Sequence, residues 1–163
     1  MLKLTRRAVF ALTLAGVAAL AAERPNFSGE WKLNSGKSDF GPMAGNAPTS
    51  MTRKIEHKGD DLSATTTQAT PNGERTQTSK YKTDGSDSVN KAQTPMGEIE
   101  VKSVASWDGA KLVVKTSREI QGAQITQTET WTLSEDGKML TVDNKISSPM
   151  GDFDIKLVMD KQP

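Results

Sequence analysis

Ile125-Thr126-Gln127-Thr128-Glu129-Thr130-Trp131-Thr132-Leu133 is the stretch on which the fold turns. Four threonines fall on one side of an extended chain. Ile125, Gln127, Glu129, Trp131 and Leu133 fall on the other. Side chains alternate faces along a strand, and β-branched residues suit a pleated, half-buried surface. The segment therefore reads as a strand with a hydroxyl-bearing outer row and a mixed inner row. Outward from it the period-two pattern recurs, and no segment after residue 23 carries a 3.6-residue apolar period. Ten strands are predicted, near 29–34, 50–58, 61–68, 74–82, 87–93, 98–107, 110–118, 122–133, 138–147 and 151–160. Asn72-Gly73, Asp84-Gly85, Asp108-Gly109 and Asp136-Gly137 supply the positive-φ residues that tight hairpins need. Pro95 and Pro149 fall in connections, where a missing N–H breaks no ladder.

Thr94-Pro95-Met96-Gly97-Glu98-Ile99-Glu100-Val101-Lys102 is echoed by Ser148-Pro149-Met150-Gly151-Asp152-Phe153-Asp154-Ile155-Lys156. Both copies are a turn leading into a strand with acidic residues on one side and apolar ones on the other. Acidic residues at alternating positions mark a wet face. The Gly-, Pro- and Ser-rich stretch 36–48 reads as a loop.

Consecutive hairpins make an antiparallel meander, and an open meander of ten strands leaves two long unpaired edges. Closing it removes them, because with an even strand number the first and last strands run antiparallel. The expected fold is all-β, an antiparallel up-and-down barrel of 8–10 strands following an N-terminal signal helix. The predicted inward rows are Met51-Arg53-Ile55-His57, Ile99-Val101-Ser103-Ala105-Trp107, Leu112-Val114-Thr116-Arg118 and Phe153-Ile155-Leu157-Met159. They are modest in volume, so an interior with room for water or a ligand is expected.

Residues 1–21 read as a signal peptide and 22–163 as one barrel domain. Lys3, Arg6 and Arg7 form a basic start. Ala8 to Ala22 is uncharged, and Ala19-Leu20-Ala21 offers a small-x-small cleavage site. The apolar run is shorter than the ~20 residues of a spanning helix. An exported chain, periplasmic or extracellular, is the expectation, and Arg6-Arg7 leaves the Sec and twin-arginine routes both open. Cleavage after Ala21 would leave 142 residues with a net charge of −2, of which Leu, Ile, Val and Phe supply only 22.

Composition excludes several function classes. The full chain carries 21 Lys+Arg against 20 Asp+Glu, which gives nucleic acid no basic patch to bind. It has no cysteine and one histidine, too few ligands for an ordinary zinc site. No Gly-x-Ser-x-Gly is present, and nothing informative is spaced from His57. No metal, no cofactor and no catalytic residue is expected. The candidate ligand-binding residues are Arg53, His57, Trp107, Arg118, Gln127, Glu129 and Trp131, all on inward rows. A lumenal guanidinium can grip a carboxylate in a bidentate fashion, and indole rings can form an apolar wall.

Phe27-Ser28-Gly29-Glu30-Trp31-Lys32-Leu33-Asn34-Ser35 resembles the first strand of the calycins, the lipocalins and fatty-acid-binding proteins. The stretch from Asn26 to Gly41, with Trp-Thr-Leu-Ser-Glu-Asp-Gly-Lys at 131–138, is similar to uncharacterised secreted bacterial lipocalin-like proteins. The resemblance implies that Gly29 and Trp31 plug one end of the barrel. It also implies a lid of two helices after the first strand, for which 36–49 is too short and too rich in Gly and Pro. The family's late arginine over the tryptophan is missing, with Lys156 and Lys161 the nearest substitutes, and the carboxylate-binding Arg-x-Tyr is replaced by Lys156-Leu157-Val158. The expected function is binding of a small, mainly hydrophobic ligand, with an anionic group, inside the barrel. The alternative is a non-catalytic envelope interaction or scaffold module, whose contacts would map to the 36–49 loop or the threonine faces.

Overall fold

The computed structural model describes residues 23–70, 73–94 and 97–163. The expected signal peptide and its helix, residues 1–21, lie outside the described residues. Ten antiparallel strands follow one another: β1 Gly29–Leu33, β2 Ser50–Lys58, β3 Asp61–Thr70, β4 Gly73–Lys82, β5 Asp87–Thr94, β6 Gly97–Asp108, β7 Lys111–Ile120, β8 Ala123–Leu133, β9 Met139–Ser148 and β10 Gly151–Lys161. A single 3-10 turn, Gly41–Asn46, interrupts the loop between β1 and β2. The order in the sheet is β4-β3-β2-β1-β10-β9-β8-β7-β6-β5. First and last strands do pair, Trp31 opposite Lys161 and Leu33 opposite Met159. The ribbon thus curls into a nearly closed barrel, the fold expected from the hairpin pattern.

One joint differs from a meander of consecutive hairpins: β4 and β5 share no backbone ladder. The connecting residues explain the divergence. Thr83 N–H bonds Asp60 O, and Gly85 N–H bonds Ala105 O, so each strand follows its outer neighbour. Side chains bridge the seam instead. Asn90 behaves like a peptide group, its Nδ2 donating to Lys80 O at 2.9 Å and its Oδ1 accepting from Lys80 N–H at 2.8 Å. Ser88 Oγ accepts from Lys82 N–H, and Gln77 Nε2 donates to Lys91 O.

All the predicted inward rows face the interior, as the burial alternation along β2, β6, β7, β8 and β10 shows. The acidic positions Glu98, Glu100, Asp152 and Asp154 are exposed. The echoed turns are built alike: Thr94 Oγ1 donates to Gly97 O, Ser148 Oγ donates to Gly151 O, and both glycines sit at φ 117°. A third copy escaped the sequence reading. In Thr70-Pro71-Asn72-Gly73, Thr70 Oγ1 donates to Gly73 O in the same way.

The apolar core is concentrated at one end. Phe27, Trp31, Leu62, Leu112, Trp131, Leu140, Val142 and Met159 are essentially unexposed there. Trp31 Nε1 donates to Phe27 O at 3.0 Å, and Lys161 Nζ lies 5.4 Å from the Trp31 ring centre. Gly29, at φ 144°, lets that lysine in, since a Cβ would stand 2.8 Å from Lys161 Cε. At the other end, where the three similar turns lie, inward residues such as Ile99, Val101, Ile125, Phe153 and Ile155 are only half-buried. Residues facing inward yet reached by solvent define a cup open at one end.

Candidate ligand-binding site

The floor of the cup is the aromatic base. Phe27 lies 5.9 Å from Trp107 in a near-parallel arrangement and 5.7 Å from Trp131 edge-on. His57 completes the cluster, 6.0 Å from Phe27 and 5.9 Å from Trp107. Its Nδ1 accepts Phe27 N–H, and burial holds its pKa below the ordinary histidine value against weaker opposing effects of the Gly59 backbone and the Asp60 charge. His57 is thus a neutral base residue, four positions along β2 from Arg53, about 13 Å at the usual strand rise. Of the seven candidates, His57 and Trp107 belong to the base.

Trp131 joins the base to the polar group above it, where Arg53, Arg118, Gln127 and Glu129 come together. Glu129 is the centre: its carboxylate accepts Trp131 Nε1–H at 2.7 Å and Gln127 Nε2–H at 2.8 Å. Gln127 also donates to Asn144 Oδ1 and accepts from Arg118 Nη1. Burial pulls the Arg118 pKa down, and the Glu129 charge partly restores it. Arg53 packs its guanidinium 5.1 Å over the Trp131 ring, and its Nε donates to Thr66 Oγ1. Its Nη1 is buried without a hydrogen-bond partner. Tyr81 joins from β4, edge-on to Trp131, with its pKa pushed up to about 12 by burial and then by the Glu129 charge. The phenol stays protonated at any physiological pH.

Tyr81, Thr66, Asn144 and Arg75 were absent from the candidate set. Three lay level with a residue that was in it: Thr66 pairs with Arg53, Asn144 with Glu129, and Tyr81 with Leu62, itself opposite His57. Arg75 faces inward near the open end, opposite Gln68 on β3. Among the described residues, the inward rows above the base carry three guanidinium groups, Arg53, Arg75 and Arg118, against one carboxylate, Glu129. The interior is therefore electropositive. No group of three metal-ligating side chains is found among the described residues. Among them, too, no helix is long and apolar enough to cross a membrane.

A depression of about 630 Å³ lies outside the barrel, between Val89, Lys102, Val104 and Lys115. A second, about 460 Å³, lies on the wall formed by β3, β4 and β5.

The ten-stranded, nearly closed antiparallel barrel is calycin-like in fold, and solved structures share it. Zebrafish ileal bile acid-binding protein, solved with cholic acid, is similar over 83% of this chain and 98% of its own, at 23% identity and a TM-score of 0.53. A secretory abundant heat soluble protein from Ramazzottius varieornatus is similar at 16% identity and a TM-score of 0.57, over 83% and 94%. The fatty acid binding protein of Schistosoma mansoni, solved with arachidonic acid, matches at 17% identity and a TM-score of 0.53, over 84% and 96%. At such identities the likeness is one of fold. No protein-family model matches the chain, and no curated protein matches it.

Proposed function

We propose that this chain is an exported, non-catalytic carrier that holds a small, mainly apolar molecule with an anionic group in the open half of its barrel. The observation that carries the reading is the buried Arg53 Nη1 with no partner, on a guanidinium fixed by Thr66 and the Trp131 face. A buried donor on a charged group left unpaired is costly unless a ligand or water satisfies it. The excess of interior arginines favours an anion. The apolar part of the ligand would lie against Ile146, Phe153, Ile155 and Leu157, at ~25 cal/mol per Å² removed from water. Similar barrels that hold a bile acid and a fatty acid lend support. Export rests on the leader-like residues 1–21.

Titration with two naphthalene dyes tests the proposal. Anilinonaphthalene sulfonate is anionic, and N-phenyl-1-naphthylamine is neutral. Both should bind saturably and be displaced by oleate. Arg53→Met should weaken the anionic dye about tenfold and leave the neutral one nearly unchanged. Absence of saturable binding by either dye, or equal losses for both in the variant, overturns it.

The outer depression with its two lysines and exposed Val89 favours a second reading, a protein-binding face on the barrel exterior. In that case Lys102→Glu with Lys115→Glu would abolish association with an acidic protein partner and leave dye binding intact.

A further inference from the structure

The interior has two unlike walls. In the sheet order, β9 and β10 stand across the barrel from β3, β4 and β5. The inward residues of β9 and β10 in the open half are Ile146, Phe153 and Ile155, with Asn144 level with Ile155 and Leu157 deeper, opposite Val142. Opposite them, Thr66, Gln68, Arg75, Gln77, Ser79 and Asn90 face inward, and the apolar residues interspersed with these are only the small Ala64 and Ala92. The 460 Å³ cavity on that side, at the β4–β5 seam, is lined by the inward Thr66, Gln68, Arg75, Gln77 and Thr94, with Thr76 and Gln93 reaching it from the outer face, and by no apolar residue. Among the described residues Arg75 has no acidic partner within salt-bridge distance, and Arg53, whose Nη1 is unpartnered, adjoins the cavity through Thr66.

From this we infer that the ligand is an amphiphile with a large, hydroxylated, anionic headgroup, and that the β3–β5 wall is its headgroup site. The inference rests on the carrier reading above and narrows its ligand class. A simple carboxylate needs only one arginine. It would leave the cavity's amides and hydroxyls to water. A phosphorylated or acidic polyol matches what is there: guanidinium groups for the charge, glutamine amides that both donate and accept, and threonine hydroxyls. A group that reproduces the hydrogen bonds of ordered water gains affinity, and one that cannot loses it. The acyl part then crosses the lumen to the β9–β10 wall, so each half of the ligand meets a wall of its own polarity.

The experiment compares two probes with the same chain, oleate and 1-oleoyl-lysophosphatidylinositol, below their aggregation concentrations and by calorimetry. The wild-type protein should bind the lysolipid at least tenfold more tightly than oleate. Arg75→Ala and Gln68→Leu should each weaken the lysolipid at least fivefold and move oleate by less than twofold, with unchanged unfolding midpoints. Arg75 is exposed at the rim, so that variant tests the site without testing the fold. Equal affinity for both probes, or parallel losses for both in the variants, refutes the headgroup site and leaves the carrier reading standing. Failure of both probes to bind refutes the two together.

Discussion

Glu129 is the residue whose replacement reports most directly on the interior network. Its carboxylate accepts from Trp131 Nε1 and Gln127 Nε2 and faces the electropositive interior. Bonds to a charged acceptor contribute roughly 1.5–3 kcal/mol each, and an orphaned buried donor costs about 1–3 kcal/mol. Glu129→Leu removes both bonds. Gln127 keeps Asn144 as an acceptor, but the Trp131 N–H, on a residue 1% exposed, is left with none. The new leucine returns about 1–2 kcal/mol by burial. A net loss of about 3 kcal/mol is expected. Glu129→Gln keeps one acceptor oxygen for the indole, so about 1 kcal/mol is expected there. Urea unfolding followed by tryptophan fluorescence measures both. Equal costs for the two variants, or a leucine variant within about 0.5 kcal/mol of wild type, would show that the network does not hold Trp131. The glutamine variant carries a second readout: without the Glu129 charge, the Tyr81 pKa should fall from its value of about 12.

Three further outcomes follow from the same geometry. Tyr81 has a folded pKa raised to about 12, so its contribution is complete below the unfolded value near 10 and is lost as pH rises from 10 to 12; at about 1.4 kcal/mol per unit that is roughly 2.7 kcal/mol. Tyr81→Phe should flatten the alkaline arm of a stability–pH curve, and an unchanged arm would count against the burial of the phenol. His57 has a lowered folded pKa, so its contribution is present above about pH 6.5 and lost as pH falls through the window beneath it; His57→Phe should remove that acid slope in urea midpoints taken between pH 7 and 4. Asn90→Leu removes both side-chain bonds to the Lys80 backbone and should cost about 1–2 kcal/mol. Hydrogen exchange at the Lys80 amide should then quicken at least tenfold, while amides of the β6–β7 ladder keep their protection.

The strands were legible because period-two alternation and glycine turns are local signals, and both survive into the structure nearly residue for residue. Inward facing followed from the same alternation, which is why Arg53, Gln127 and Glu129 fell on the right rows. Their grouping was less accessible. His57 and Arg53 share a row, but four residues of extended chain separate them, so one joins the base and the other the lumen. Faces repeat every two residues, whereas depth along a barrel axis depends on register between strands, and register is set by long-range pairing. The β4–β5 seam was hidden for the same reason. Asp84-Gly85 is a good hairpin signal, yet the amides of that connection are taken by Asp60 and Ala105, which are distant in sequence. The clue was Asn90, whose short amide on an inward position can stand in for a missing backbone partner.

The low apolar content of the chain finds its explanation along the barrel axis. Were the few large residues spread evenly over ten inward rows, no level would be dry, and the Trp31, Trp131 and Phe27 side chains would each face water. Gathered at one end, they bury one another almost completely and anchor the closing β1–β10 pair. The other half is then held chiefly by ladders and by side-chain bridges such as Asn90 to Lys80, with no dense core to occupy the lumen. A polar wall there costs little while the cup is filled with water, and it gains directional contacts when a matching group replaces that water. Opposed to it, the isoleucines and phenylalanine of β9 and β10 stay partly wet without a guest. The same division that lets so lean a sequence fold leaves its open half short of apolar partners on one side and rich in hydrogen-bonding groups on the other.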